Sequence, residues 1–448
     1  MRERSTSVVG VPTKHVDSLP GTLPAGSSSR ARLWLLLAAA TISACATDGA
    51  YESRPSPAVR ADATAAQPPA PGRESPAAAR TAPRTPAVPP AALPPVSSPS
   101  SANLSERQAR TMADSLLPEN LRDRAGWAAD LAAAFAALRL PQSPENLCAA
   151  IAIIAQESSF QADPPVAGLS RIVWQELEKR REKYAVPKVV LDLALLKSSP
   201  DGSTYKARID ALRTENQMNV LYTDMISELP GGKTLFSGYN PVRTGGPMQV
   251  SVDFAEEHVR KQPYPYPRRD SVRDEVFSRR GGLYFGIAVL LDYPTSYGQM
   301  IYRFADFNAG RYSSRNAAFQ EAVARLGGQS LVLDGDLLRY QGGAPAAAAS
   351  DTQRAVLALA PRLRLSEAEI ERGLRLEKTF AFEQSALYQR LYALADASSG
   401  ERKPREILPR IELKSPKISR RLTTEWFARR VDGRYRGCLE RYQVGRPT

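Results

Sequence analysis

Histidine is almost missing from this chain. Its 448 residues include two, His15 and His258, and three cysteines, Cys45, Cys148 and Cys438. A Ser-His-Asp triad would have to use His258, which sits in FAEEHVRK, a stretch patterned like a solvated helix. Cys and His ligands at zinc-binding spacing are too few. Triad and metal chemistries are therefore disfavoured, and nothing in the pattern asks for a cofactor. No block of Lys and Arg interleaved with aromatics marks a nucleic-acid track. Strand signals are scarce as well.

What is present divides the chain. Hydrophobic residues make up 43%, enough for a folded part, and the 36 prolines are unevenly spread. The formal net charge is +13 and the pI near 9.7, which suits an anionic membrane or an acidic polymer as partner. Arg30 and Arg32 precede an apolar core, Leu33–Ala40, too short to span a bilayer permanently. Ile42-Ser43-Ala44-Cys45 follows it and resembles the bacterial lipobox, which implies lipidation of Cys45. The preceding thirty or so residues are long for such a leader. Ala46 after the cysteine resembles lipoproteins sorted to the outer membrane. The expected location is the periplasmic face of the envelope, lipid-anchored. Residues 46–104, with runs such as QPPAPGRESPAAARTAP, bury too little apolar area to fold and are expected to form a disordered linker. At ~3.1 Å per residue such a linker reaches roughly 180 Å at most. In an oxidising compartment Cys148 and Cys438 are either a disulfide or two buried thiols.

From residue 105 onward helix signals dominate, and the expected fold class is mainly α, with a short hairpin or two. SPENLCAAIAIIAQES starts with an N-cap candidate, Ser143, and Pro144 at the first helical position. It ends on Glu157, which shares a helix face with Ile153 and Ile154. That places a carboxylate where the isoleucines point. Such a group is paired, neutral or catalytic. Other helices are expected in STYKARIDALRTENQMNVLYTDMISELP, GLYFGIAVLLDY, DTQRAVLALAPRL and SEAEIERGLRLEKTFAFEQSALYQRLYALAD, the last with a capping box from Ser366 to Glu369.

Two further stretches give Glu157 a context. TGGPMQVSVDFAE carries Met248 and Gln249 after a glycine turn. YRFADFNAGRYSSRNAAFQ carries Phe307-Asn308-Ala309-Gly310 before another helix. The order Glu-Ser, Gly-Pro-Met-Gln, aromatic-Asn-Ala-Gly resembles the lytic transglycosylases of the lysozyme-like superfamily, over roughly residues 123–325. GLYFGIAVLLDY lies where that family places its core helix. The arrangement is also similar to an uncharacterised family of bacterial lipoproteins.

The resemblance implies a lysozyme-like catalytic domain at 105–342, with a helical insertion at 170–240 and a C-terminal helical extension at 343–448. It implies peptidoglycan as substrate and Glu157 as the single general acid/base. Ser158, Met248, Gln249, Asn308 and Gly310 would line or shape the sugar site, with Phe307, Tyr302 and Tyr312 as aromatic contacts. Asp306 is expected to be a solvated loop residue rather than a second carboxylate. The chain departs from the pattern in three ways. From Glu157 to Gly246 there are 89 positions, so helices are inserted; Pro247 replaces Leu; and Phe307 replaces Tyr. A hydrolytic muramidase and a non-enzymatic wall-binding or scaffold lipoprotein are the alternative readings.

Overall fold

The computed structural model describes residues 105–268, 270–341, 344–413 and 422–444. The lipobox-like segment with Cys45 and the linker at 46–104 lie outside them. The described chain is mainly α-helical, with three two-stranded antiparallel hairpins. None of its helices is long and apolar enough to cross a membrane.

The main core begins with α1 (Glu106–Leu116), α2 (Arg124–Ala137) and α3 (Pro144–Glu157). Helix α3 starts as its sequence dictates: the Ser143 hydroxyl accepts from the Asn146 N–H, and Pro144 occupies the first turn, where its missing N–H costs nothing. Its residues 147–154 are all buried. The chain then leaves this core through four inserted helices, α4 (Leu169–Lys183), α5 (Lys188–Leu195), α6 (Tyr205–Asp210) and α7 (Glu215–Ser227). They close a small core of their own around Leu169, Leu191, Tyr205, Ile209 and Leu221. The long run STYKARIDALRTENQMNVLYTD is thus two helices, not one. Thr214 splits it, because its side chain and that of Gln217 form a capping box that starts α7.

After a short α8 (Gly232–Phe236), the hairpin β1 (Thr244–Gly245) and β2 (Val250–Ser251) returns the chain to the main core. Helices α9 (Val252–Lys261), α10 (Val272–Val276), α11 (Arg279–Leu291) and α12 (Met300–Ala309) follow. Helix α11 is pinned to α2 by Asp130, 4% exposed, which accepts from Arg279 Nε at 2.6 Å and Arg280 Nε at 3.0 Å. A second core gathers α13 (Ser313–Gly327) with α14 (Asp351–Ala358), α15 (Ala360–Leu363), α16 (Glu367–Leu374), α17 (Ala381–Gln384) and α18 (Ala386–Ser399). Pro361, which has no N–H to donate, sits in the first turn of α15, where the expected run DTQRAVLALAPRL divides. Ser385 caps α18 and divides the next run.

The last helix, α19 (Thr424–Val444), crosses back to the main core, contributing Phe427, Ala428, Val431 and Cys438. Cys148 of α3 and Cys438 are joined by a disulfide across 290 residues, so the bridge, not the pair of thiols, is what forms. Eight residues after Cys148, Gln156 Oε1 accepts from Arg430 Nε and Arg434 Nε, both at 3.2 Å, and Arg430 lies eight residues before Cys438. Equal steps in opposite directions mean that α3 and α19 run antiparallel.

Candidate active site

Glu157 is the last residue of α3 and is 3% exposed. Neither carboxylate oxygen has a hydrogen-bond partner. Burial drives its acidity well down, so the carboxyl titrates far above the usual carboxylate range, and the negative charge of Glu215 adds to the effect. The fold therefore favours the neutral form of this carboxyl, and neither of its oxygens has a hydrogen-bond partner.

The chain turns sharply just beyond it. Ser159 and Phe160 are both left-handed, at φ 49° and 61°, an uncommon conformation for two successive residues with a Cβ. The Phe160 ring packs edge-on against Trp127 of α2, 5.5 Å between centroids, which holds the turn down. Ser158, 5% exposed, spends its hydroxyl on the Ile154 carbonyl at 3.1 Å, as a helix C-terminal serine does.

The Met-Gln stretch is the loop of the β1–β2 hairpin. The Gln249 N–H donates to the Gly246 carbonyl at 3.1 Å, closing a turn with Pro247 at its second position, where proline is favoured. Gly246 is left-handed at φ 74° and Gln249 at φ 50°. The replacement of Leu by Pro247 thus has a local reason: the ring pre-sets the turn and packs on Gly282 of α11, where any side chain would collide with it. Met248 is fully buried and packs on Gly286 in the same way. The Gln249 amide is 3% exposed and donates to the Gly246 carbonyl at 3.3 Å, bracing the loop.

The Asn308 segment is helical. Phe307, Asn308 and Ala309 form the buried end of α12, and Gly310 at φ 108° ends it. Asn308 Oδ1 accepts from the Thr424 hydroxyl at 2.9 Å, while its Nδ2 has no partner although buried. Thr424 opens α19, six residues or about 9 Å of helix rise before Arg430, which reaches Gln156. Phe304 of α12 meets Tyr435 of α19, so α12 too runs antiparallel to α19. Helices α3 and α12 are thus parallel, and their C-terminal ends, Glu157 and Asn308, both lie toward the start of α19.

Two expectations are corrected. Asp306 is no solvated loop residue. It is fully buried and accepts from the Tyr297 hydroxyl at 2.7 Å, the Tyr293 hydroxyl at 3.2 Å, and the N–H groups of Tyr312 at 2.8 Å and Ser314 at 2.7 Å. Burial pushes it up to about 6 despite those donors. It caps α13, whose own N-cap residue, Tyr312, offers no acceptor side chain. His258 is on the inner face of α9, not the solvated one: it is 8% exposed, with Nε2 3.0 Å from the Tyr284 hydroxyl, and burial lowers its basicity. Tyr312 is buried under Arg315, its hydroxyl donating to the Pro294 carbonyl at 3.1 Å. Tyr302 is half-buried, its ring edge-on to Tyr297.

Glu215, Thr424, Arg430 and Arg434 were not anticipated as site residues. The disulfide pairing alone, by drawing the C-terminal tail to α3, could have pointed to the last three: Arg430, Arg434 and Cys438 recur every four residues, on one helix face. Nothing in the sequence of the insertion marks Glu215.

Residues 120–441 match the model of a family described as "Protein of unknown function (DUF1615)". The chain is 50% identical over 324 residues to "Uncharacterized protein YaiW" of Escherichia coli (strain K12), an alignment covering 72% of this chain and 87% of that relative. No solved structure matches it. The match spans most of the helical region from α2 to α19, both ends of the site included, and the chain belongs to the DUF1615 family.

Proposed function

We propose that the protein is a peptidoglycan lytic transglycosylase with a lysozyme-like catalytic region, cleaving the MurNAc-GlcNAc β-1,4 bond with Glu157 as its single general acid/base. The carrying observation is that Glu157 is buried at the end of α3 without a hydrogen-bond partner, a setting that raises its pKa and favours its protonated form. An acid held this way has a proton to give at neutral pH. In the reaction, the Glu157 carboxyl protonates the glycosidic oxygen and the bond from C1 to that oxygen breaks. The substrate's acetamido group stabilises the electron-poor C1. The Glu157 carboxylate then takes the proton of the sugar's O6 hydroxyl, O6 bonds to C1, and a 1,6-anhydro ring closes without water. The orphaned Asn308 amide, Nδ2, is a donor suited to the acetamido carbonyl. We place the site on the periplasmic face of the envelope, probing the wall from a lipid anchor at Cys45 in the outer membrane; the Cys148–Cys438 disulfide supports an oxidising compartment.

A second reading, a wall-binding lipoprotein without turnover, draws on the same burial: at 3% exposure, Glu157 offers a glycan almost no accessible surface. Digestion of peptidoglycan sacculi by the full-length chain separates the two. Mass spectrometry of the released fragments should show anhydro-muramyl ends with the native chain and none with Glu157→Gln. Reducing ends in their place would make the enzyme a hydrolytic muramidase. Glycan binding without release from either chain would favour the second reading.

A further inference from the structure

The residue before Glu157 is a second buried polar side chain with an unmet group. Gln156 is 5% exposed, and its Nε2 has no hydrogen-bond partner. Its Oε1 accepts from Arg430 Nε and Arg434 Nε of α19, both at 3.2 Å. A guanidinium only donates, so the amide must turn its oxygen toward α19. The two arginines are one helical turn apart, and both keep some exposure to solvent. Their neighbours on the same helix are treated differently. Arg429 pairs with Glu425 and Arg436 with Asp432, each at 2.8 Å. Arg430 instead meets a neutral amide and the Trp426 ring, 5.6 Å from its centroid, and among the described residues it has no carboxylate partner. Glu157 does not neutralise it, because the fold favours the uncharged form of that acid.

We propose that Arg430, backed by Gln156 and with Arg434 beside it, is an anion subsite that takes a free carboxylate of the peptide carried by the wall glycan. This rests on the reading of the site as one that cleaves peptidoglycan, and it names the part of the substrate that the C-terminal helix selects. A guanidinium held through Nε keeps its outer fork, Nη1 and Nη2, for a bidentate contact, and a carboxylate has the matching geometry. Gln156 and Trp426 hold that fork before any ligand arrives, so little side-chain entropy remains to be lost on binding. A second guanidinium on the same amide oxygen adds attraction for an anion. The subsite is coupled to the acid through the chain. Gln156 and Glu157 are successive residues at the end of α3, and α19 is fixed against that helix by the Cys148–Cys438 disulfide. Peptide-bearing strands are therefore favoured over strands stripped of peptide, a selectivity that the glycan contacts alone do not supply.

The test is calorimetric binding of the full-length chain to two forms of one muropeptide, GlcNAc-MurNAc-tetrapeptide. One form has its free carboxylates, and the other has them converted to primary amides. Neither contains the MurNAc-GlcNAc bond, so binding is read without turnover. The carboxylate form should bind the native chain roughly ten- to a hundredfold more tightly than the amide form. Arg430→Gln should remove most of that preference, and Arg430→Lys, which keeps the charge and loses the fork, should keep only part of it. Arg436→Gln, on an exposed arginine already paired with Asp432, should leave the preference in place. The comparison of the two forms on the native chain needs no substitution, so a variant that fails to fold does not shield the proposal. Equal binding of the two forms, binding of neither, or a preference that survives in a folded Arg430→Gln chain overturns it. The two readings fail separately: a carboxylate preference without digestion of sacculi removes the lyase and keeps the subsite, whereas digestion without the preference removes the subsite alone.

Discussion

Glu157 and Asp306 occupy matching places. Each is an acid at or near the C-terminal end of a helix in the main core, on α3 and α12, and each is almost or wholly inaccessible to solvent. Asp306 is met by two tyrosine hydroxyls and two backbone N–H groups, and α13 starts on it. Glu157 is met by nothing. The fold thus uses one buried carboxyl as an acceptor and leaves the other as a bare acid. Burial raises both, Asp306 to about 6 and Glu157 well beyond the usual range. Polar satisfaction, not burial, is what distinguishes a structural acid from one with a proton to donate.

Substitution should separate them most. Glu157→Gln should cut release of anhydro-muropeptides by about 10²–10⁴-fold while changing unfolding free energy by less than about 1 kcal/mol, since no hydrogen bond is lost. Asp306→Ala should do the reverse, costing about 3–4 kcal/mol in chemical denaturation, because four donors lose their acceptor. If Asp306→Ala is neutral, the contrast between the two acids falls.

The pH dependence of stability sharpens the same point. The folded value of Asp306 lies above its ordinary value near 3.8, so the fold favours its neutral form. Its contribution is present below about pH 4 and is lost as pH rises through 6. Relative to Asp306→Asn, the native chain should therefore lose roughly 3 kcal/mol between those limits, readable from thermal or denaturant midpoints across that range.

Smaller effects are expected where α19 holds the two helix ends together. Replacing Cys148 and Cys438 together by Ser should cost about 2–3 kcal/mol in denaturation. Thr424→Val should cost about 1 kcal/mol and leave Asn308 with both polar ends unheld. It should therefore weaken digestion, measured as fragment release, more than it weakens the fold.

The helices were largely readable from the sequence because apolar spacing and caps act locally. Ser143 with Pro144 and Ser366 with Glu369 start helices where their chemistry requires. The breaks at Thr214, Pro361 and Ser385 carry equally local signals, masked by apolar periodicity running through them. Glu157 was legible because a helix face fixes the direction of its side chain. The character of Asp306 was not, because its donors come from Tyr293 and Tyr297 before α12 and from the turn after it. Glu215 and Thr424 lie 58 and 267 positions after Glu157, and only tertiary packing brings their elements to the ends of α3 and α12.

The most direct measurement is the protonation state of Glu157 at neutral pH, from the difference in the protonated-carboxyl infrared band between the full-length native chain and Glu157→Gln. The account requires a band present at pH 7 in the native chain and missing from the variant. Identical spectra would mean that Glu157 is ionised there, and it could not then serve as the acid.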